Sequence, residues 1–346
     1  MAELEESKSI VIQGNDIYGT LFLEISSYYY ISHKTLRFVL NNISADAGFK
    51  ECLYWLSMAV EYDELPVRHN EEFLNVEISK DVKFPAEETF EKSLPLWDPH
   101  IKVFLLLQAY FSCIELPVAD YYQDTLTVLD QTLRLTQAYI DTAAQFGYLG
   151  VVKSLIQLLW SLKQGCMPGD DFVTVLPGFT KRSLLKEGSE AKISLKMLNA
   201  ASGPEINKII NSKDFKKLSK NIFDVSKKKE LIDTVKKLPF LDEDSLMIKR
   251  NPEEKKLTLV ANHLNKSHEH GFHVYCASYK KKQKESWFLL GFIGEDLKIL
   301  KRCMPNKKGE IRVTVDLDSE TILDTNNIKF ELINDALDIS YIIPLV

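Results

Sequence analysis

The sequence has no Gly-x-x-x-x-Gly-Lys-Ser/Thr run, so the residues that cradle a nucleoside triphosphate and hold its magnesium are missing. ATP hydrolysis is therefore not expected of this chain by itself, and no cofactor is assigned to it. Cysteine is sparse. Cys52, Cys113, Cys166, Cys276 and Cys303 are odd in number, and no two have metal-ligand spacing. A reduced intracellular compartment is the simplest account of them. The longest apolar run is far short of a membrane span, and the start, acidic at Glu3, Glu5 and Glu6, does not read as a signal peptide. No membrane partner is expected.

What is present is ordinary in bulk and uneven in detail. The 346 residues can bury a sizeable core in two or three domains. The net charge of −6 makes no overall case for nucleic acid. Through Lys163, however, there are 12 Lys/Arg against 23 Asp/Glu, and the remainder carries 31 against 26. An acidic first half and a weakly basic second half point to different partners.

The first half reads as helical. Residues 28–41, 49–59, 69–78 and 100–111 place apolar side chains three and four apart. Asp98-Pro99 supplies an N-cap carboxylate and a first-turn proline. A longer helix is expected from Asp124 to Gln145, ended by Gly147, with Leu126, Leu129, Leu133, Ile140 and Ala144 along its buried stripe. Val151 to Lys163 is apolar nearly all round and reads as central. Gly165, Pro168, Gly169, Pro177 and Gly178 mark a boundary. Short helical pieces around Ser202-Gly203 then suggest a helix-loop-helix. From Asp242 the period becomes two, at Leu257-Leu259-Ala261, His273-Tyr275-Ala277, Trp287-Leu289-Gly291, Ile311-Val313-Val315 and Ile328-Phe330-Leu332. This predicts an antiparallel sandwich of about seven strands. The expected units are a helical bundle over 1–165, a helix-loop-helix over 166–240 and a β-sandwich over 241–346.

Several segments carry a family resemblance. They are Ser27 to Thr35, Glu64-Leu65-Pro66-Val67-Arg68-His69-Asn70-Glu71-Glu72, Asp98-Pro99-His100 leading into Phe104 to Ala109, and Thr127 to Gln131. Glu285 to Gly291 and Leu300-Lys301-Arg302 follow in matching order. In this order and spacing the chain resembles the Sec-sixty-three-type accessory unit that follows the motor domains of large Ski-two-like RNA helicases. The stretch from Thr180 to Phe240 matches only by position. The motifs look more like the ribosome-quality-control trigger and activating-signal-cointegrator type than the spliceosomal Brr-two type, and most like the second, C-terminal unit of a two-cassette chain. The end at Val346 fits such a terminus.

The resemblance implies a multidomain α-then-β fold: helical bundle, helix-loop-helix and a C-terminal immunoglobulin-like, fibronectin type III-like sandwich. It implies a non-catalytic unit that guides single-stranded RNA or DNA and docks protein subunits of a helicase-containing, ribosome-associated complex. ATP and magnesium would belong to the parent's cassettes. Location would be cytoplasmic, with the nucleus as a second site. The helix 124–145 corresponds to the family's ratchet helix, which lines the nucleic-acid path, and Gln131 and Arg134 fall where relatives face that path. On a helical wheel, Thr127, Gln131, Arg134 and Ala138 lie opposite the Leu129/Leu133/Ile140 stripe. Gln131 and Arg134 are thus expected to serve the strand and to contribute little to folding.

Other readings stay open beside these. Arg134 could be a solvated face charge. The lysines at 213, 216, 217, 220 and 227–229 could meet phosphates or only solvent. Tyr28-Tyr29-Tyr30 could stack on bases, although at least one must face the core. Arg68 and His69 beside Glu71 and Glu72 could be a catalytic His–Glu pair or an ion-paired cap that fixes the bundle. His263, His268, His270, His273 and Cys276 could suggest zinc or an exposed loop. An odd offset within a strand would send His273 and Cys276 to opposite faces. The alternative function is a protein-interaction scaffold of the spliceosomal helicase, with no nucleic-acid contact.

Overall fold

The computed structural model describes residues 1–91, 94–170, 176–177, 225–236, 238–251, 255–264, 272–276, 279, 282–316 and 327–345. Two compact units emerge, Met1–Leu162 and Lys163–Val346.

The first unit opens with a short helix α1 (Ala2–Glu6) and a hairpin, β1 (Ile10–Gln13) and β2 (Asp16–Gly19). Helices α2 (Leu21–Tyr29), α3 (His33–Asn42), α4 (Phe49–Ser57), α5 (Glu71–Asp81), α6 (Ala86–Thr89), α7 (Pro99–Ser112), α8 (Ala119–Gln145) and α9 (Leu149–Gln164) follow, the last two residues of α9 being counted with the second unit. The hairpin departs from the all-helical expectation. Gln13 pairs with Asp16 across a two-residue turn in which Gly14 takes φ +65°. A two-residue loop with positive φ favours hairpin over helix.

Helix α7 is the axis of the bundle. Asp98 accepts from the His100 amide at 2.8 Å and Pro99 occupies the first turn, as the sequence indicates. Ile101 to Ala109 is then buried without interruption. The expected single helix over 28–41 is instead two. Tyr30 turns left-handed (φ 52°, ψ 47°), and Ser32 starts α3 by accepting from the Lys34 amide at 3.2 Å. Apolar period alone could not find this break.

The second unit holds two antiparallel sheets. The strands are β3 (Leu241–Asn251), β4 (Lys256–His263), β7 (Trp287–Ile293), β8 (Asp296–Cys303), β9 (Glu310–Asp316), β10 (Lys329–Asn334) and β11 (Ser340–Ile343), with a small ribbon of β5 (His273–Val274) and β6 (Gln283–Lys284). The sheet orders are β11-β10-β7-β8 and β3-β4-β9. Leu257, Leu259 and Ile311 from one sheet share a core with Trp287, Leu289, Phe330 and Leu332 from the other. Leu231 and Val235 of helix α10 (Val225–Lys236) join the same core. Most of the expected helix-loop-helix, including the lysines at 213, 216, 217 and 220, lies outside the described residues. Lys163 and Asp335 form a buried ion pair at 2.5 Å in this unit. Burial pushes the Asp335 carboxyl up, and Lys163 opposes that shift.

Gly291 shows how tightly the core is filled. It sits beside a register shift between β7 and β8. A Cβ there would meet Ile299 Cβ and the Phe330 ring, each at 3.0 Å. Gly291→Ala should therefore cost about 1–3 kcal/mol through overpacking. Chemical denaturation of the variant beside the parent checks this, and an unchanged midpoint would show that the sheet relaxes freely.

Candidate nucleic-acid interface

Helix α8 begins at Ala119, five residues before the expected start. Its buried face also differs from the expected stripe. It runs through Tyr121, Asp124, Thr125, Val128, Thr132, Leu135, Thr136, Tyr139, Thr142 and Ala143. Leu129 and Ile140 are buried as expected, but Leu126 is 40% exposed, and Leu133 and Ala144 are half-buried. Ala138, placed on the open face by the wheel, is fully buried. The reason is chemical. Threonine reads as polar, but in a helix its hydroxyl can bond its own backbone and leave the methyl for the core. Thr125, Thr136 and Thr142 donate to the carbonyls four residues back at 2.7–2.8 Å, and Thr132 to the Leu129 carbonyl at 2.9 Å.

The N-terminal half of α8 is anchored by a buried ionic cluster. Lys102 of α7 is fully buried. Its Nζ donates to Glu71 at 2.6 Å, to Asp124 at 2.7 Å and to the Pro66 carbonyl at 2.7 Å. It also stands 4.6 Å from the centre of the Tyr121 ring. Arg68 donates to Asp124 at 2.7 and 3.3 Å and to Glu71 at 3.0 Å, and pairs with Asp120 at 3.2 Å. The segment Pro66 to Glu71 thus gives a carbonyl, a guanidinium and a carboxylate to one knot. The ion-paired cap is the reading of Arg68 that this geometry carries. The sequence indicated Arg68 and Glu71. Lys102, set in an apolar helix, carried no such signal.

Burial pushes the Asp124 carboxyl up, but hydrogen bonds and charge from Arg68 and Lys102 outweigh it, so the group titrates below its ordinary 3.8. A carboxylate with a depressed folded pKa contributes stability that is fully present above the unfolded value. It is lost as pH falls through the folded value. Stability of the first unit should therefore decline below about pH 4, and Asp124→Asn should flatten that decline. Urea unfolding at pH 3, 4, 5 and 7 checks it; an identical acid limb in the variant would remove Asp124 from the account.

Gln131 and Arg134 lie one turn apart on α8, both half-buried. They touch each other: Arg134 Nε donates to Gln131 Oε1 at 2.9 Å, and Nη2 reaches the same oxygen. Arg134 Nη1 donates to the Tyr29 carbonyl at 3.2 Å and to the Tyr30 carbonyl. This corrects the expectation that Arg134 contributes little to folding, because its guanidinium ties α8 to the end of α2. Of the three tyrosines, Tyr29 is buried, and Tyr28 and Tyr30 are 77% and 88% exposed.

The other candidate groups are used differently. His263 Nε2 lies 2.8 and 2.9 Å from the two Glu285 oxygens, and both residues are buried. Strand β5 spans only His273–Val274, so Cys276 falls beyond it and the parity argument does not reach that residue. His268 and His270 lie outside the described residues. Among the described residues no helix is long and apolar enough to cross a membrane.

The Sec63 Brl domain family matches residues 22–335, which run from α2 into the residue after β10. The chain belongs to that family. Along 99% of its length it is 40% identical to the RQC trigger complex helicase SLH1 of Saccharomyces cerevisiae, of which it covers 18%. Over 52% of the chain it is 39% identical to activating signal cointegrator 1 complex subunit 3 of Dictyostelium discoideum, covering 8% of that protein. Over 49% it is 38% identical to the DExH-box ATP-dependent RNA helicase DExH14 of Arabidopsis thaliana, also covering 8%. The chain thus spans less than a fifth of the length of these relatives. The helices and antiparallel sheets described above fit a Sec63 Brl unit.

Proposed function

We propose that this chain is the non-catalytic accessory unit of a two-cassette ATP-dependent RNA helicase. It guides single-stranded nucleic acid along the open side of α8 and docks protein subunits through its second unit, an immunoglobulin-like sandwich. Its setting is ribosome quality control and translation regulation, in the cytoplasm and the nucleus. ATP and magnesium act in the motor cassettes. The observation that carries this reading is the 40% identity, over nearly the whole chain, to a yeast helicase named for the RQC trigger complex. Gln131 and Arg134 mark the strand's side of α8, where a planar, permanently charged guanidinium suits a passing phosphate or base.

A second reading, an interaction scaffold that never touches nucleic acid, draws support from the acidic balance through Lys163, 12 Lys/Arg against 23 Asp/Glu. Salt-dependent binding of a labelled single-stranded oligonucleotide separates the two. The guiding role requires binding at low salt that weakens as salt rises. No binding at any salt would favour the scaffold.

A further inference from the structure

Helix α2 ends where its sequence holds no stop signal. Tyr28-Tyr29-Tyr30 offers neither glycine nor asparagine, yet Tyr30 adopts φ 52°, ψ 47°. A bulky residue seldom takes that conformation unless its surroundings hold it there. Here they do. Arg134 donates to the carbonyls of Tyr29 and Tyr30. Ser26 Oγ donates to the Ile31 carbonyl at 2.7 Å, and the Ile31 amide returns a bond to the Ser26 carbonyl at 3.0 Å. Tyr29 Oη donates to Asp141 of α8 at 2.7 Å, and the Ser32 amide to Glu61 at 2.7 Å. The turn is held by these bonds, and it carries a Tyr30 that is 88% open to solvent, with the Arg134 guanidinium on its backbone carbonyl.

We infer that Tyr30 is a base-stacking residue for single-stranded nucleic acid, and that Arg134 acts on the strand through it, as the positioning residue that fixes the turn. The inference rests on the strand-guiding reading of α8. Three observations favour stacking over phosphate contact as the main interaction. Three of the Arg134 nitrogens already donate to Gln131 and to two backbone carbonyls, which leaves fewer hydrogens for a phosphate. The acidic balance through Lys163 does not draw a polyanion by charge alone. An exposed aromatic ring on a fixed backbone turn, by contrast, stacks on any base, so the contact tolerates every sequence. Tyr28, 77% exposed on the last turn of α2, gives a neighbouring ring for the same strand.

The experiment measures affinity for labelled oligouridine and oligoadenine by anisotropy, with thermal melting of each variant alongside. Tyr30→Phe should bind like the parent. Tyr30→Gly should bind roughly tenfold more weakly, the scale of one lost stacking contact. Its melting temperature should not fall, because glycine adopts the left-handed turn without a steric penalty. Arg134→Ala should lose affinity and melting temperature together. In a Tyr30→Trp variant, added oligonucleotide should quench the indole emission, which a purely structural residue would not show. Unchanged affinity in Tyr30→Gly overturns the inference. If Gln131→Ala still weakens binding in that case, the strand-guiding reading survives and only the role of Tyr30 is lost. A parent chain that binds no oligonucleotide overturns both.

Discussion

Lys102→Met should lower the stability of the first unit by about 3–5 kcal/mol, the range for removing one partner of a buried ion pair. The side chain is fully buried and meets Glu71, Asp124 and the Pro66 carbonyl within 2.7 Å. Methionine fills nearly the same volume, so the loss is electrostatic more than steric. It leaves two buried carboxylates sharing only Arg68, which is 40% exposed and partly screened. For a unit of this size the melting temperature should drop by roughly 10 °C. Adding Asp124→Asn to Lys102→Met should cost less than the two changes separately, because the second relieves the charge that the first leaves unpaired. Denaturant unfolding of the four proteins of that cycle gives the coupling directly. Strict additivity would show that the cluster does not act as a unit.

Trp287→Ala should cost a similar amount in the second unit, about 3–5 kcal/mol, the scale of a large aromatic deletion from a packed core. Trp287 is fully buried, shares the core cluster with Leu289, Phe330 and Tyr341, and donates from Nε1 to Glu285 at 2.6 Å. Glu285 also faces His263, so one buried carboxylate serves two ring nitrogens. Trp287→Phe keeps most of the volume and loses that hydrogen bond, and it should fall between parent and Trp287→Ala at about 1–3 kcal/mol. Intrinsic fluorescence and denaturant midpoints measure the series. A Phe variant as stable as the parent would make the Glu285 contact dispensable.

The same residues show where sequence reading succeeds. Asp98-Pro99 and the apolar run behind it mark α7 because cap, proline and period agree. Period-two runs marked β4, β7, β9 and β10, whose registers pair residue for residue. In helix α8 the apolar period gives the element but not its whole buried face, since four threonines that bond their own helix read as polar. Lys102 was invisible for the opposite reason. Its partners lie 22 and 31 residues away in sequence, and one helix's pattern cannot show them. The break at Tyr30 is met by bonds from Arg134, more than 100 residues away. Strands β3 and β8 lie in stretches whose alternation is diluted by charge, as in Asp296-Leu297-Lys298-Ile299-Leu300-Lys301-Arg302, whereas β11, Ser340–Ile343, is only four residues long. Gln131 and Arg134 came from the family motif, and their mutual bond and their link to α2 came from the structure alone.

A single strand is expected to run along the open side of α8. Photochemical cross-linking of a 4-thiouridine-substituted RNA to the full-length protein, followed by mass spectrometry of the joined peptides, tests it without any mutation. Adducts are expected at the turn carrying Tyr28 and Tyr30 and on the α8 segment carrying Thr127, Gln131 and Arg134. Robust cross-linking elsewhere in the full-length protein, with none between Met1 and Leu162, would contradict it.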